Sequence, residues 1–394
     1  MSRDKAILLF GLVTYGIGQS LLYVIFGPLA RDLGLSETQF GILISASNVA
    51  LVIFSPMWGR TSQSVGRKKI FIVGLIGYAA GYAFLAFAIQ IGLWSLLAPV
   101  PLFFLLLGAR LIYGSVASAI SPAATAYIAD TTDEKSRAAG MALIAASGGI
   151  GTIIGPAFGG LLATIGPVVP MYAAAGTAVV AAVVAGAKLV EPERHADMDT
   201  RVKLKVFDRR IFPYLLGWFV IFMVFTAVQV ITAFYIEDRF GVSGQDEVIK
   251  VASIALLSMA LVMLSVQIVV MQVWKITPKV LLRVAYFVFA GVLIMFAYSD
   301  SLIFLYLSYA GMGMSFAMAA PGLNAAASLA VETSEQGAVA GLLSSAPAFG
   351  MVFGPALGGA VYNFAPDLPM IGGAVLSVLM GIYFLFVKIP DPHS

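Results

Sequence analysis

GTIIGPAFGG at residues 151–160 and GMVFGPALGG at residues 350–359 carry glycines and a proline in the same register, 199 residues apart. Further residues that match at this shift, without a gap, are Pro122 with Pro321 and Pro170-Met171 with Pro369-Met370. Because several prolines and glycines agree in one register, the second half of the chain is predicted to repeat the first.

The composition indicates that lipid surrounds most of the chain. Of its 394 residues, 60% are hydrophobic and only 11% are charged, whereas soluble globular proteins carry about 25% charged residues. So few charged side chains cannot cover the surface of a protein of this size in water. We therefore expect a membrane protein whose exterior faces acyl chains.

Mainly apolar segments of about 20 residues, the length that a helix needs to cross a bilayer, occur twelve times in the sequence. They cover residues 6–28, 38–58, 70–91, 98–129, 137–163 and 167–189, and then residues 211–236, 249–273, 278–298, 301–330, 337–363 and 368–388. The polar residues 191–210 separate the two groups. We predict an all-α polytopic fold with two pseudo-symmetric six-helix halves, 1–190 and 211–394, joined by a cytoplasmic linker at 191–210. An internal repeat of this kind is typical of transporters whose halves rock around a central site.

The distribution of basic residues predicts the orientation in the membrane. Of the 23 Lys and Arg residues, only Arg31, Arg239 and Lys250 fall in segments predicted to lie outside, and Arg110 falls within a helix. Cytoplasmic segments carry an excess of Lys and Arg. Both termini are therefore expected in the cytoplasm, with the protein in the cell's inner (plasma) membrane.

Helix 4 contains the segment LGARLIYG at residues 107–114. Arg110 is the only basic residue well inside a predicted span, and a charge at the bilayer centre costs at least about 2.5–3.5 kcal/mol. It must therefore face protein or a wet cavity, and we predict that it is the central charge of the functional site. Tyr113 lies one helical turn away on the same face.

The first repeat segment lies on helix 5. Gly151, Gly155 and Gly159 share one helical face, which lets another helix approach closely. Pro156 removes a backbone hydrogen bond and, with the glycines, makes a place where the helix can bend. The other members of this predicted bending motif are Gly160, Gly354 and Pro355.

The connection between helices 2 and 3 reads GRTSQSVGRK at residues 59–68. Gly59 and Gly66 permit a tight turn, and Arg67 and Lys68 can meet the anionic leaflet and neighbouring helix ends.

These three segments resemble signature motifs of the major facilitator superfamily. Residues 59–68 are similar to G-x-L-A-D-R-x-G-R-[RK], with Gln63 and Ser64 in place of an acidic and a basic residue. Residues 107–114 resemble L-x-x-x-R-x-x-[QG]-G, and residues 148–160 contain g-x-x-x-G-P-x-x-G-G, a motif associated with drug:proton antiporters. The resemblance implies a twelve-helix exporter in which Arg110 supports proton-coupled conformational change.

Asp130 stands in the segment ADTTDEKSR, residues 129–137, which is similar to the helix 4–5 connection of that family. A carboxylate here can pair with a cation of residues 59–68 when the cytoplasmic side closes, and we expect Arg67 to be its partner. The residues of the predicted inner gate are Gly59, Gly66, Arg67, Lys68, Asp130 and Arg137.

The 20 Asp and Glu residues all lie at predicted helix ends or in loops. Many proton-coupled exporters instead hold a carboxylate in the cavity, where burial raises its pKa into the working range. Coupling here would use a rim acid such as Asp130, Glu237 or Glu332, or the field of Arg110 alone. A lone buried cation attracts anions, which favours an anionic, zwitterionic or neutral amphipathic solute over a strongly cationic drug.

The predicted cavity combines polar, aromatic and methionine side chains, which adapt to varied ligand shapes. Its candidate residues are Gln19, Tyr23, Asn48, Tyr113, Gln229, Thr232, Tyr306, Tyr309 and Met312.

The sequence favours a secondary active transporter, and no feature indicates an enzyme. Absence of cysteine excludes thiolate metal sites, and no Gly-Lys-Ser or Gly-Lys-Thr phosphate loop is present. We expect no cofactor, metal or nucleic-acid partner, and a monomer that binds a small-molecule substrate, protons and the lipid bilayer. The alternatives are a dedicated anionic or zwitterionic metabolite or siderophore exporter, a uniporter without proton coupling, and a non-transporting membrane sensor on the same fold.

Overall fold

The computed structural model describes residues 3–132, 134–192, 204–269, 276–332 and 335–389. In these residues the chain forms thirteen helices and no strand. The helices are α1 (Arg3–Asp32), α2 (Glu37–Val65), α3 (Arg67–Leu93), α4 (Pro99–Ala117), α5 (Ile120–Thr131), α6 (Glu134–Ala163), α7 (Val169–Lys188), α8 (Phe212–Phe240), α9 (Gln245–Ile268), α10 (Pro278–Ala297), α11 (Leu302–Leu329), α12 (Gln336–Tyr362) and α13 (Leu368–Phe386).

Most of these helices can cross a bilayer. Within the described residues, eleven helical segments are long and apolar enough to do so, and α4 with α5 counts as one of them, Pro99–Thr131. The 30-residue α6 takes the place of the predicted fifth span. The prediction of an all-α polytopic fold is therefore confirmed.

The chain divides into two compact units. The first comprises Met1–Asp197 and Ser243–Ser253, and the second comprises Met198–Val242 and Ile254–Ser394. The predicted half boundaries at residues 190 and 211 stay predictions, because residues 193–203 of the linker lie outside the described part of the chain.

The predicted fourth span, residues 98–129, is confirmed as one candidate span, Pro99–Thr131, but its helix is interrupted. The helix stops at Ala117 and resumes at Ile120. Pro122 has no N–H to bond the carbonyl of Ser118 and its ring crowds that carbonyl, while the Ser118 hydroxyl donates to the carbonyl of Ser115 at 2.8 Å. In the second half, α11 continues through the equivalent Pro321.

The connection between α2 and α3 is also shorter than predicted. The first helix continues to Val65 and the next begins at Arg67, so Gly59 lies in a helix and not in a turn. Gly66 alone makes the connection, with a φ of 122°. Only glycine adopts this backbone conformation without strain, because it has no Cβ.

The repeat seen in the sequence reappears in the packing of each unit. In the first unit α6 lies along α1 and α7 lies along α3; in the second, α12 lies along α8 and α13 along α10. A Cβ atom on Gly151 would lie 2.8 Å from the Cα of Gly16, and one on Gly350 would lie 2.6 Å from the carbonyl oxygen of Phe219. The glycine faces thus bring two helix backbones into contact inside each unit.

Replacing these glycines by alanine tests the backbone contact. We expect Gly151→Ala and Gly350→Ala to lower the thermal midpoint of the purified protein in detergent. Overpacking costs about 1–3 kcal/mol, which exceeds the roughly 0.5–1 kcal/mol gained when alanine replaces a helical glycine. Gly176→Ala is the control, because no atom beyond its own stretch of helix lies within 4 Å of the added Cβ, and its thermal midpoint should stay the same or rise. Equal midpoints for all three variants would contradict the packing.

Candidate functional site

Arg110 is buried between α4 and α2, with 2% of its surface exposed. Its Nη2 donates a hydrogen bond to the hydroxyl of Ser47, and its Nε donates to the carbonyl of Leu43 at 3.4 Å. The two helices approach closely because Gly114 has no side chain: a Cβ there would lie 3.0 Å from the Cα of Ser47. Of the two environments predicted for this arginine, protein or a wet cavity, the observed contacts are with protein.

The third nitrogen of this guanidinium lacks a partner. Nη1 of Arg110 is buried and makes no hydrogen bond with any described residue. The Cζ atom lies 5.1 Å from the ring centroid of Tyr113, a distance at which a ring face attracts a cation. The tyrosines near this charge are Tyr113, Tyr82, Tyr23 and Tyr15. The charge is thus surrounded by tyrosine hydroxyls and rings.

A polar stripe on α1 faces this arginine. Tyr15, Gln19 and Tyr23 are spaced four residues apart, so they share one helical face. The amide nitrogen of Gln19 donates to the hydroxyl of Tyr15 at 2.8 Å and to the hydroxyl of Tyr113 at 3.2 Å. Asn48 of α2 lies within hydrogen-bonding reach of the Tyr23 hydroxyl. The structure therefore brings all four cavity residues predicted in the first half together around Arg110.

Three tyrosines of this cluster were not predicted. Tyr78 and Tyr82 stack on α3 with ring centroids 4.7 Å apart. The hydroxyl of Tyr78 donates to the carbonyl of Thr14 at 3.3 Å, and that of Tyr82 donates to the carbonyl of Gly18. These bonds join α3 to α1 beside the arginine. The signal in the sequence is helical spacing. Tyr15 lies one turn before the predicted cavity residue Gln19, and Tyr78 and Tyr82 lie one turn apart on the same face of α3.

The corresponding position in the second unit holds an uncharged group. A shift of 199 residues carries Arg110 to Tyr309 and Tyr113 to Met312. The hydroxyls of Tyr309 and Thr232 share a hydrogen bond, and both side chains and Met312 are buried. Gln229, with 9% of its surface exposed, lies one turn before Thr232.

Two further aromatic residues of the second unit, Tyr306 and Phe316, lie on α11. Tyr306 lies one turn before Tyr309, and its carbonyl accepts a hydrogen bond from Ser258 at 3.1 Å. Phe316, which was not predicted, lies at the centre of an aromatic cluster. Its ring centroid is 5.4 Å from that of Phe222, 5.1 Å from that of Phe225 and 6.0 Å from that of Phe289. The second unit therefore contains an aromatic cluster and holds no charge at the position equivalent to Arg110.

The predicted inner-gate pair is joined in the structure. The Nε of Arg67 donates to the Oδ2 of Asp130 at 2.8 Å, and its Nη1 donates to the hydroxyl of Ser62 at 2.6 Å. The carboxylate of Glu191 accepts hydrogen bonds from the backbone N–H groups of Arg67 and Lys68, at 2.5 and 3.3 Å. A carboxylate at this place stabilises the N-terminus of α3. All of these residues belong to the first unit.

Gly59 and Arg137 are two other residues of the predicted inner gate. The carbonyl of Gly59 lies 3.5 Å from the Nη1 of Arg67 and accepts a hydrogen bond from it. The side chain of Arg137 lies outside the described part of the structure.

The residues of the predicted bending motif lie in uninterrupted helices. Both α6 and α12 continue through Pro156 and Pro355. Each glycine of the motif borders a neighbouring helix. An added Cβ on Gly155 would lie 2.6 Å from the carbonyl oxygen of Ile17, and one on Gly159 would lie 3.3 Å from Leu21. An added Cβ on Gly160 would lie 2.8 Å from Ser253, and one on Gly354 would lie 3.1 Å from the backbone nitrogen of Ala227. Close packing of the motif is therefore observed, and its role in bending stays a prediction.

The chain is similar to bacterial resistance proteins over almost its whole length. Multidrug resistance protein 2 of Bacillus subtilis (strain 168) is 28% identical over 389 residues, which cover 95% of this chain and 93% of that protein. Tetracycline resistance protein, class B, of Escherichia coli is 27% identical over 399 residues, which cover 98% of this chain and 94% of that protein.

Solved structures and a family model point to the same fold. A bacterial homolog of the human lysosomal transporter Spinster, in an inward-facing and occupied conformation, matches with a TM-score of 0.76 at 15% identity, over 97% of this chain and 95% of that chain. The family model described as Major Facilitator Superfamily matches residues 8–346. Members of this family are transporters and not enzymes. The chain therefore belongs to the Major Facilitator Superfamily and is a multi-pass membrane transporter.

Proposed function

We propose that this transporter exports an amphipathic small molecule from the cytoplasm by alternating access, in exchange for protons. It would work as a monomer in the cell's inner (plasma) membrane with both termini in the cytoplasm, and its halves 1–190 and 211–394 would rock against each other. Similarity to resistance proteins over more than nine-tenths of the chain supports export of drug-like or metabolite molecules. The observation that carries the proposal is the buried guanidinium of Arg110.

The electrostatics of Arg110 favour particular substrates. A buried cation attracts anions and repels cations, and the low dielectric constant of a protein interior strengthens both effects. A strongly cationic drug would therefore bind poorly beside it. We infer that the substrate is anionic, zwitterionic or neutral, with an apolar body.

The aromatic cluster of the second unit is a surface on which an apolar molecule can pack. Phe222, Phe225 and Phe316 present ring edges and faces to one another, and Met312 lies one turn from Phe316 on α11. Methionine and aromatic side chains accommodate different shapes at small cost. We infer that this cluster permits several substrates to be carried, which is the behaviour of a multidrug exporter.

The alternative is transport without proton coupling. In the described part of the structure no carboxylate forms an ion pair with Arg110, so a proton would need to bind elsewhere. This observation favours a dedicated exporter of an anionic or zwitterionic metabolite or siderophore, or a uniporter. Under the main proposal, a rim acid such as Glu237 or Glu332 carries the proton, or the field of Arg110 alone couples its movement.

Removing the central charge tests the proposed role of Arg110. We expect Arg110→Ala to abolish gradient-driven uptake of tetracycline and amphipathic acids into inside-out vesicles, while the variant still folds. Arg283→Ala is the matched control, because that arginine also lies in a helix but donates to the Leu385 carbonyl. Full activity of Arg110→Ala, with a normal thermal midpoint, would remove Arg110 from the mechanism.

Proton coupling is tested separately in proteoliposomes that contain the wild-type protein and a pH-sensitive dye. Adding a transported compound to one side should move protons in the opposite direction, because exchange links the two fluxes. Substrate flux with no change in dye signal would establish the uncoupled alternative instead.

The gate role of the Arg67–Asp130 pair is tested with a double-mutant cycle. We expect Asp130→Asn and Arg67→Gln each to slow transport about tenfold, and the double variant to be no slower, because either change breaks the same bond. Glu247→Gln is the control, since Glu247 forms an exposed pair with Lys250 at 3.7 Å, and exposed pairs contribute little. Additive losses, or unchanged transport in Asp130→Asn, would rule out the gate.

A further inference from the structure

The buried Nη1 group of Arg110 lacks an acceptor. Buried polar groups in proteins almost always have hydrogen-bond partners, and a buried charge needs a counter-charge. Yet Nη1 makes no hydrogen bond with a described residue, while Nη2 and Nε of the same guanidinium each make one. A group in this position can donate to a bound molecule that supplies an oxygen.

The hydroxyls of Tyr15 and Tyr113, two tyrosines near Arg110, can also donate hydrogen bonds. The two hydrogens of the Gln19 amide nitrogen go to the hydroxyl oxygens of Tyr15 and Tyr113. Each hydroxyl therefore acts as an acceptor and keeps its own hydrogen, which makes no bond with a described residue. Hydroxyls that already accept a hydrogen bond become better donors, because such bonds polarise one another.

We propose that Arg110, Tyr15 and Tyr113 form a subsite of the first unit that binds the carboxylate of the substrate. The proposal rests on the function proposed above and names the group that the site recognises. The carboxylate accepts from Nη1 of Arg110 on one oxygen and from the tyrosine hydroxyls on the other, and it supplies the negative charge that the guanidinium lacks. An ionised acceptor makes shorter and stronger hydrogen bonds than a neutral amide.

The surroundings of the subsite favour a carboxylate over other ligand groups. An ammonium group would meet the positive charge of Arg110, which forms no ion pair with a described carboxylate. The rings of Tyr78, Tyr82 and Tyr113, with centroids 4.7–5.9 Å apart, form a wall of low polarity beside the charge. Tyr15 and Gln19 are only partly covered, so part of their surface stays open.

A matched pair of probes tests the subsite: 1-naphthoate, which carries a carboxylate, and 1-naphthamide, which has nearly the same shape and no charge. Binding of each to the purified full chain in uncharged detergent is measured by calorimetry. We expect the wild-type protein to bind the acid at least about tenfold more tightly, corresponding to 1.4 kcal/mol. Arg110→Gln should remove this preference, and Tyr15→Phe and Tyr113→Phe should each reduce it, because they delete the hydroxyl donor and keep the ring.

Arg283→Gln serves as the control for loss of an arginine. Its Nε is also buried without a partner, but it belongs to the second unit, so the preference for the acid should persist. Equal affinity for acid and amide, failure of the acid to bind, or a preference that survives Arg110→Gln would each overturn the subsite. Binding is measured without transport, so the two proposals can fail separately. The subsite can be upheld although vesicle uptake disproves export, and export can be upheld although the binding data disprove the subsite.

Discussion

Burial of one positive charge in an apolar helical unit is the constraint on which the rest of the site depends. Arg110 costs free energy wherever lipid or packed side chains surround it, and the structure compensates only part of that cost, through Ser47, Leu43 and the ring of Tyr113. The close approach of α2 and α4 at Gly114 makes these contacts possible. The incomplete compensation is what makes the site suited to a ligand of opposite charge.

The pseudo-symmetric architecture gives the two units different chemistry at equivalent places. The helix pairs α1–α6 and α8–α12 meet at glycines in the same register, so the backbones correspond closely. The side chains do not: the arginine of the first unit corresponds to Tyr309, and Tyr113 corresponds to Met312. A repeated backbone with diverged side chains gives the first unit a buried charge and the second unit an aromatic cluster.

The helix order, the repeat and the environment of Arg110 could be predicted from sequence, because they depend on hydropathy, spacing and the cost of an intramembrane charge. The break before α5 and the length of α2 could not, since they depend on local hydrogen bonds of Ser118 and on a single glycine turn. Tyr78 and Tyr82 were missed for another reason. Aromatic residues at helical spacing usually indicate packing, and only the fold reveals that these two lie beside the arginine.

The potential around Arg110 can be measured directly because the chain contains no cysteine. A single Gln19→Cys substitution allows thiol reagents of opposite charge, an anionic sulfonate and a cationic ammonium methanethiosulfonate, to report that potential through their reaction rates. The account predicts that the ratio of anionic to cationic rates falls at least about fivefold when Arg110→Gln is added, as expected for a nearby unit charge at low dielectric constant. An unchanged ratio, or a thiol that neither reagent reaches, would contradict it.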